Sequence, residues 1–244
     1  MSQDTRIVGI MQARMSSTRL PGKVMKPLLG EPMLTRQVER LLRSARMSIL
    51  VIATSDRADD DVIAAHAEKL GVPVFRGSLS DVLDRYYQAA KLHDAAHVLR
   101  TTADCPFIDP TVMDLVIDEH LAGGWDYTTN NLPPSWPHGL DLEVMTMNAL
   151  AGAWQDARLP DEREHVTPFI RRRPERFRIG NVASPQNNAS MRWTVDEPED
   201  YEFTRRVYEA LYPSHPDFST TDVLNFLRRH PEVVKINEHH SAHR

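Results

Sequence analysis

Residues 6–23 read RIVGIMQARMSSTRLPGK, and this stretch decides how the chain folds. Its first half, from Ile7 to Met11, is short, apolar and rich in β-branched residues, as expected of a strand buried on both faces. Its second half, from Ala13 to Lys23, is polar and combines turn residues with basic and hydroxyl side chains. The stretch therefore predicts a buried strand that opens directly into a polar loop.

Strand-like and helix-like runs alternate from this stretch to about residue 104. Short β-branched runs predict strands, and apolar residues at three- and four-residue spacing predict helices between them. The further strands are predicted over 48–54, 72–75 and 97–100, and the helices over 33–45, 59–70 and 81–93. Such alternation is typical of an α/β protein with a mostly parallel twisted sheet and helices on both faces. Ligands of these sheets bind outside the carboxyl ends of the strands, where the loops after Gln12 and Arg100 fall.

The alternation weakens beyond about residue 125. The pattern there predicts a loop over 130–139, a strand over 140–147, a basic helix over 163–173, a loop over 184–190, a last core strand over 191–195, and helices over 198–212 and 220–230. We expect a single domain over 1–237, with an inserted arm at about 126–190 that serves the acceptor or a dimer contact. The polar residues 238–244 are expected to form a disordered tail.

The composition narrows the class of protein. Of the 244 residues, 41% are hydrophobic, which suffices for a sizeable core, and the net charge is −5. That charge argues against a nucleic-acid partner bound through bulk positive charge. Cys105 is the single cysteine, which excludes an intrachain disulfide and indicates a reducing compartment. No apolar run approaches the ~20 residues of a membrane span, so we expect a cytoplasmic protein without a membrane partner.

The polar loop has the donors that a triphosphate requires. Arg14, Arg19 and Lys23 supply positive charge, and Gly22 allows a close approach to a ligand. The loop matches neither the GxxxxGK[ST] pattern of a P-loop nor the GxGxxG pattern of a dinucleotide site. On composition alone a solvated surface turn explains it equally well, whereas its position at the carboxyl end of a strand favours a ligand site.

Two aspartates follow predicted strands at the same edge of the sheet. Asp104 comes after the fourth strand and Asp196 after the last one, each with a proline two residues further on. Mg²⁺ prefers hard oxygen ligands and usually takes one or two carboxylates together with substrate phosphates. An aspartate near a proline more often caps a turn, so both interpretations stay open on spacing alone.

At these residues the sequence resembles a known family. The run from Gln12 to Lys23 is similar to the AR-x-x-S-x-R-L-P-x-K signature of the cytidylyltransferases that make CMP-activated sialic acid, KDO and related sugars. Within this acylneuraminate/KDO group it most resembles the spore coat polysaccharide biosynthesis protein F branch. The resemblance covers about residues 7–237, and its further segments are FRGS (75–78), DVLDRYY (81–87), TADCP (102–106), GLDLEV (139–144), REHVTP (163–168) and RWTVDEPED (192–200).

The resemblance implies a Rossmann-like nucleotidyltransferase fold, CTP as the nucleotide, Mg²⁺ as the cofactor, pyrophosphate as a product and a homodimer. It implies catalytic roles for Arg14, Arg19, Lys23, Asp104 and Asp196, of which the two aspartates would bind the metal ion. The nucleotide-binding positions that it implies are Gln12, Ala13, Arg14, Ser17, Arg19, Lys23, Thr54, Ser55, Arg100, Thr101 and Ala103.

Two polar clusters in the second half of the chain are candidates for binding the acceptor. Strand-like alternation puts Asp141 and Glu143 on one face, where they could bind sugar hydroxyls or an amine, with His138 just before them. Arg163 and His165 could bind a carboxylate or phosphonate. A strand with one solvated face and a polar dimer contact explain these clusters equally well. The acceptor itself stays open between an acidic sugar and a small phosphonate or phosphate.

Two other functions are compatible with the residues. A nucleotide-sugar glycosyltransferase would share the nucleotide-binding half, but it usually carries a D-x-D-like pair, and Asp104 has no acidic partner at that spacing. A nucleotide sensor without catalytic activity would bind the nucleotide and release no pyrophosphate. The joint presence of the basic loop and both aspartates favours the transferase.

Overall fold

The structure is a computed structural model that describes the backbone of residues 5–243 and the side chains of residues 5–241. Its strands are β1 (Ile7–Gln12), β2 (Pro27–Leu28), β3 (Glu31–Pro32), β4 (Ile49–Ser55), β5 (Val74–Gly77), β6 (His97–Thr102), β7 (Tyr127–Thr129), β8 (Glu143–Thr146) and β9 (Ile179–Asn181). Its α-helices are α1 (Met33–Leu41), α2 (Asp61–Lys69), α3 (Val82–Leu92), α4 (Pro110–Gly123), α5 (Met147–Asp156), α6 (Pro160–His165), α7 (Pro168–Arg171), α8 (Pro198–Leu211), α9 (Thr220–Arg229) and α10 (Pro231–Val234).

Seven strands form one sheet in the order β5-β4-β1-β6-β8-β7-β9, and β2 and β3 form a separate two-stranded sheet. The pairs β5–β4, β4–β1, β1–β6 and β7–β9 are parallel, whereas β8 runs antiparallel to both of its neighbours. The predicted α/β class with a mostly parallel sheet is confirmed. The predicted arm, about 126–190, adds β7, β8 and β9 to this sheet and α5, α6 and α7 to one of its faces.

Strand β1 lies inside the sheet, between β4 and β6, and both of its faces are apolar. Ile7 and Met11 belong to one hydrophobic cluster, and Val8 and Ile10 belong to the other. Helices α1, α2, α4, α8, α9 and α10 contribute to the first cluster, and α3, α5 and α7 to the second. Burial of a strand on both faces by helices is the arrangement that a continuous apolar run predicts. The last residue of β1, Gln12, pairs with Ala53 of β4 and Thr102 of β6, which places the polar loop between these strands.

The structure departs from the predicted elements at several places, and it also contains α4, β7 and β9, which were not predicted. The predicted strand over 191–195 is wrong, because Trp193 and Val195 are buried but make single backbone hydrogen bonds to His138 and Asp104 rather than a ladder. The predicted helix over 163–173 is broken at Val166, which has φ 71°, so that α6 and α7 are separate helices. The predicted disordered tail forms a 3₁₀ helix over Glu238–His243, and Arg244 lies outside the described residues.

None of the helices within residues 5–243 is both long and apolar enough to cross a bilayer.

Candidate active site

A polar cleft of about 370 Å³ opens at the carboxyl ends of β1 and β6. The loop after β1, the turn after β6 and the ends of α3 and α6 supply its lining. The lining residues are Gln12, Ala13, Arg14, Ser17, Thr18, Arg19, Lys23, Val24, Val82, Arg85, Arg100, Thr102, Ala103, Asp104, Glu164, His165 and Asp196. The cleft therefore brings together the basic loop and both aspartates that the sequence singled out.

Backbone hydrogen bonds hold the polar loop in place. Ala13 N–H donates to Ala53 O at 3.1 Å, and Met15 N–H donates to Asp60 Oδ1 at 2.7 Å. Gly22 has φ 69° and donates to Met15 O at 2.9 Å, which closes the loop on itself. A left-handed residue at this point is most easily a glycine, because a side chain there would be strained. The closed loop leaves the Arg14 and Arg19 side chains about half exposed at the cleft.

Lys23 joins the two aspartates. Its Nζ donates to Asp104 Oδ2, to Asp196 Oδ1 and to Val195 O, each at 2.8 Å. Val195 N–H in turn donates to Asp104 O at 2.8 Å, so the two aspartate-bearing segments are also tied through their backbones. Asp104 and Asp196 are 92 positions apart in the sequence. Their carboxylates nevertheless bind the same ammonium group, that of Lys23.

Further contacts orient each carboxylate. Thr102 Oγ1 donates to Asp104 Oδ1 at 2.5 Å. Arg192 donates to Asp200 through Nε and Nη2, both at 2.8 Å, and Nη2 also lies 3.3 Å from Asp196 Oδ2. Asp200 is fully buried and accepts from the backbone N–H of Asp196 at 3.0 Å. Asp200 therefore acts as a support for Asp196 at the start of α8.

The charges of this cluster stabilise one another. Burial opposes ionisation of Asp104, but the Lys23 ammonium and the Thr102 hydroxyl outweigh it and hold the pKa of Asp104 below its usual value. Burial likewise disfavours the Lys23 cation, yet the carboxylates of Asp104 and Asp196 raise its pKa above the usual value. Lys23 is therefore charged, and Asp104 is ionised, throughout the neutral pH range.

The donor set fits a hard divalent cation. Asp104 and Asp196 offer carboxylate oxygens that lie close enough to share one ammonium group, and the cleft beside them is lined by Arg14 and Arg19. Mg²⁺ and Mn²⁺ prefer such oxygen ligands and take further ligands from phosphates and water. The single cysteine, Cys105, is buried, and burial raises its pKa well above the usual value, which leaves it poorly suited as a ligand.

A second cleft, of about 360 Å³, adjoins the first and shares Arg100, Thr102 and His165 with it. Its polar lining combines cationic groups with carboxylates and an amide. The remaining lining residues are Thr101, Asn131, Asp141, Glu143, Asp161, Thr167, Pro168, Arg171 and Arg172. Three of the predicted acceptor-binding residues, Asp141, Glu143 and His165, thus lie at this second cleft.

Glu143 has a structural role that the sequence did not indicate. Its carboxylate accepts hydrogen bonds from Arg100 Nη1 and Tyr127 Oη and, at 2.7 Å, from Thr167 Oγ1, and the residue is 4% exposed. Burial opposes its ionisation, but the Arg100 guanidinium and the two hydroxyls keep the pKa of Glu143 below its usual value. The carboxylate orients Arg100, whose Nη2 reaches Gln12 Oε1 at 3.3 Å in the first cleft.

Four other predicted site residues line neither cleft. Thr54 and Ser55 are fully buried at the end of β4, and Ser55 bonds to Asp60. Arg163 pairs with Asp81 at 2.6 Å and donates to Trp154 O at 2.8 Å, so it ties α6 to α3 and α5. His138 lies 3.8 Å from Asp141 and bonds through its backbone to Met191.

Arg85 and Arg171 were missed by the sequence interpretation. Arg85 is 1% exposed on α3 and lines the first cleft, and its Nε and Nη1 have no hydrogen-bond partner among the described residues. A buried guanidinium without partners is costly, and this favours a ligand as its partner. The signal was present, because Arg85 lies three residues after the buried Val82 and four before the buried Ala89, on an otherwise apolar stripe.

Comparison with known proteins is consistent with this cleft. Residues 8–217 match the model of a family described as cytidylyltransferase. The chain is 37% identical over 239 residues to the spore coat polysaccharide biosynthesis protein SpsF of Bacillus subtilis, with 95% of this chain and 98% of that protein covered. A solved cytidylyltransferase from Leptospira borgpetersenii serovar Hardjo-bovis superposes with a TM-score of 0.89 at 33% identity, over 94% of this chain and 96% of that one. A CMP:2-keto-3-deoxy-manno-octonic acid synthetase complexed with CTP shares the fold, with a TM-score of 0.62 at 18% identity over 84% of this chain and 98% of that one.

Proposed function

The chain belongs to the cytidylyltransferase family and is a nucleotidyltransferase, and we propose that it transfers the CMP unit of CTP to a small acidic sugar with release of pyrophosphate. One observation carries the proposal. Asp104 and Asp196 converge on Lys23 beside a loop that presents Arg14 and Arg19 to the same cleft. A carboxylate pair next to several cations suits a nucleoside triphosphate better than a neutral ligand.

We assign the resident metal ion to Asp104 and Asp196. The ion would be Mg²⁺, which when bound neutralises charge on the phosphates and makes the α-phosphorus a better electrophile. The ligand set is supported by the shared Lys23 contact of both carboxylates and by Thr102 and Arg192, which orient them. One consequence is that metal affinity depends on these two orienting groups as well as on the carboxylates.

The transfer step needs positioning and charge stabilisation rather than a covalent nucleophile. A hydroxyl oxygen of the acceptor, which loses its proton to solvent, forms a bond to the α-phosphorus of CTP. The bond from that phosphorus to the α–β bridging oxygen breaks, so pyrophosphate leaves with the electron pair. Arg14, Arg19 and Lys23 would stabilise the charge on the leaving phosphates. Arg100, held by Glu143 and bonded to Gln12, would keep the acceptor and the nucleotide in line.

The acceptor would bind in the second cleft. His165 lies at the boundary of the two clefts, and Arg171 supplies positive charge to the second one. Asp141 accepts from Asn131 Nδ2 at 3.2 Å and from Gly139 N–H at 3.0 Å, and its carboxylate also faces this cleft. Cationic groups for a carboxylate, together with acceptors for hydroxyls, favour an acidic sugar over a small phosphate.

The proposal extends to the setting in which the enzyme works. We place it in the cytoplasm, where the buried Cys105 thiol would stay reduced, and we expect it to act as a homodimer in the synthesis of a surface polysaccharide. Light scattering coupled to gel filtration tests the oligomeric state, and a mass equal to one chain would contradict the dimer.

Pyrophosphate release tests the proposed reaction. The purified protein is incubated with Mg²⁺ and CTP, ATP, GTP or UTP, each with acidic sugars of the sialic and KDO types, aminosugar acids, small phosphonates or small phosphates. We expect release only with CTP and only in the presence of an acidic sugar. Release of pyrophosphate with UTP and a hexose phosphate, or with no acceptor at all, would contradict the proposal. If release with CTP requires a phosphonate, the acceptor is a phosphonate and not an acidic sugar.

A further inference from the structure

Every hydrogen-bond donor of the Lys23 ammonium group is already used. The group has three N–H donors, and its three contacts at 2.8 Å are to Asp104 Oδ2, Asp196 Oδ1 and Val195 O. Lys23 is 8% exposed, so its side chain has little contact with solvent. In this arrangement Lys23 has no donor left for a phosphate oxygen.

The same contacts occupy the oxygens that the proposed metal ion needs. Asp104 Oδ1 accepts from Thr102, and Asp196 Oδ2 lies within 3.1 Å of Arg19 and 3.3 Å of Arg192. The remaining oxygens, Asp104 Oδ2 and Asp196 Oδ1, are the two that Lys23 binds. A cation already lies between the carboxylates, and a second cation at the same place would meet its repulsion.

From this geometry we propose that Lys23 closes the carboxylate pair to divalent cations in the nucleotide-free enzyme, and that it opens the pair by moving to the triphosphate when the nucleotide binds. Lys23 is thus a positioning residue before it contacts the substrate. The inference rests on the proposed function for the identity of the nucleotide. This movement of Lys23 makes metal binding depend on nucleotide binding, so the nucleotide-free enzyme binds divalent cations weakly.

The surrounding structure allows such an exchange. Lys23 begins a three-residue 3₁₀ helix, Lys23–Met25, directly after the left-handed Gly22, at the end of the loop that lines the cleft. When Lys23 leaves, Arg19 and Arg192 still pair with Asp196, and Thr102 still orients Asp104. The carboxylates are therefore not left without partners, and the two oxygens that become available each lie 2.8 Å from the position that the Lys23 ammonium group leaves.

Direct Mn²⁺ binding without nucleotide tests the proposal. Free Mn²⁺ is measured by electron paramagnetic resonance in titrations of the wild type and the Lys23→Met variant. We expect Lys23→Met to bind Mn²⁺ at least about tenfold more tightly than the wild type, because two carboxylates lose the cation between them. Lys23→Arg, which keeps the charge, should bind weakly. An affinity of Lys23→Met equal to or below that of the wild type would overturn the proposal.

Matched controls separate this effect from general changes in charge. Lys26→Met removes a nearby half-buried lysine, whose Nζ lies over the Tyr201 ring rather than at the aspartates, and should leave Mn²⁺ binding unchanged. If Lys23→Met does not fold, Lys23→Gln, which keeps a donor for Val195 O, is titrated instead, with the same expected gain. Mn²⁺ should also raise the Tm of the Lys23 variant more than that of the wild type, and equal increases would count against the proposal.

A second titration tests the coupling to the nucleotide. A non-hydrolysable CTP analogue should raise Mn²⁺ affinity strongly in the wild type and less in Lys23→Met, because the variant has no ammonium group to move. Equal increases would contradict the exchange. The nucleotide-free titration does not depend on CTP being the substrate, so the two proposals can fail separately. If Lys23→Met binds Mn²⁺ about tenfold more tightly but the wild type releases no pyrophosphate, the proposed function is refuted and the effect of Lys23 on metal binding stands.

Discussion

At the scale of single residues, the candidate site contains charged side chains of two kinds: those that pair with one another and those without a hydrogen-bond partner among the described residues. Lys23 pairs with the aspartates that would bind the metal ion, and Arg85 is buried with two nitrogens that have no hydrogen-bond partner within the described part of the chain. The sequence indicated Asp104 and Asp196 through their positions after apolar runs. It could not indicate that Lys23 lies between them, because that contact depends on three segments far apart in the chain.

Asp104→Asn should lower the rate of pyrophosphate release at least about 100-fold, because it removes half of the charge of the carboxylate pair. The amide has nearly the same shape, so the variant should still fold, although loss of the buried contact to Lys23 lowers its Tm by several degrees. Initial rates with CTP and the active acceptor check this prediction. Asp118→Asn, at an exposed ion pair with Arg46, is the control, and full activity of Asp104→Asn would remove Asp104 from the site.

Arg85→Met should weaken CTP binding by about tenfold or more, since a hydrogen bond to a charged group is worth about 1.5–3 kcal/mol. The variant should be at least as stable as the wild type, because methionine buries no unpaired guanidinium nitrogens. Calorimetric titration with CTP gives the affinity and thermal melting gives the stability. Arg206→Met on the exposed face of α8 serves as the control, and unchanged CTP affinity of Arg85→Met would show that the cleft does not use Arg85.

At the scale of secondary-structure elements, the alternation of strand and helix in the first half of the chain was predicted well. Each of those elements buries one stripe or both faces, which leaves a clear period in the sequence. The elements after β6 were harder, because α4 is apolar around much of its surface, while β7 and β9 are only three residues long. The break at Val166 was also hidden, since a β-branched residue gives no sign of a left-handed φ.

Glu143 shows that a residue predicted as a ligand can also hold elements of the fold together. The alternation in 140–144 correctly put Asp141 and Glu143 on one face, away from Leu142, but the face of Glu143 is buried. Its carboxylate links β8 to Arg100 of β6, Tyr127 of β7 and Thr167 before α7. Sequence patterns give the face of a strand and not what covers it.

Glu143→Gln should lower the free energy of unfolding by about 3 kcal/mol, because it leaves Arg100 buried without its counter-charge. The pKa of Glu143 is lowered in the folded protein. The ionised group therefore stabilises the fold at pH values above its unfolded pKa of about 4.3, and this contribution is lost as the pH falls through the lower folded value. Urea unfolding at several pH values should show a constant difference from the wild type above about pH 5 that shrinks below about pH 4. A difference independent of pH would contradict the role of the charge.

At the scale of the whole molecule, the fold was predictable and the site was predictable in part. The burial of β1 on both faces follows from its unbroken apolar run, and the location of the cleft follows from the carboxyl ends of parallel strands. The partition into two adjoining clefts was not predictable, because it depends on how residues 126–190 join the sheet. Arg163 and His138 lie outside both clefts for the same reason, whereas Thr54 and Ser55 lie outside them because they are buried at the end of β4.

Nucleotide binding should stabilise the whole domain, since the cleft joins the loop after β1 to segments from both halves of the chain. CTP at about 100 times its Kd should add about 2.7 kcal/mol and raise the Tm by roughly 5–10 °C. UTP at the same concentration should raise it less. Differential scanning calorimetry with each nucleotide measures the shift, and equal shifts for all four nucleotides would show that the cleft recognises only the triphosphate.

The most direct test of the proposed reaction is to identify its product by mass spectrometry. The enzyme is incubated with CTP, Mg²⁺ and the acceptor that supports pyrophosphate release, with Asp104→Asn in parallel. We predict a new species whose mass equals that of the acidic sugar plus one cytidylyl group, formed by the wild type and not by Asp104→Asn. Conversion of CTP to CDP or free CMP without any adduct would contradict cytidylyl transfer.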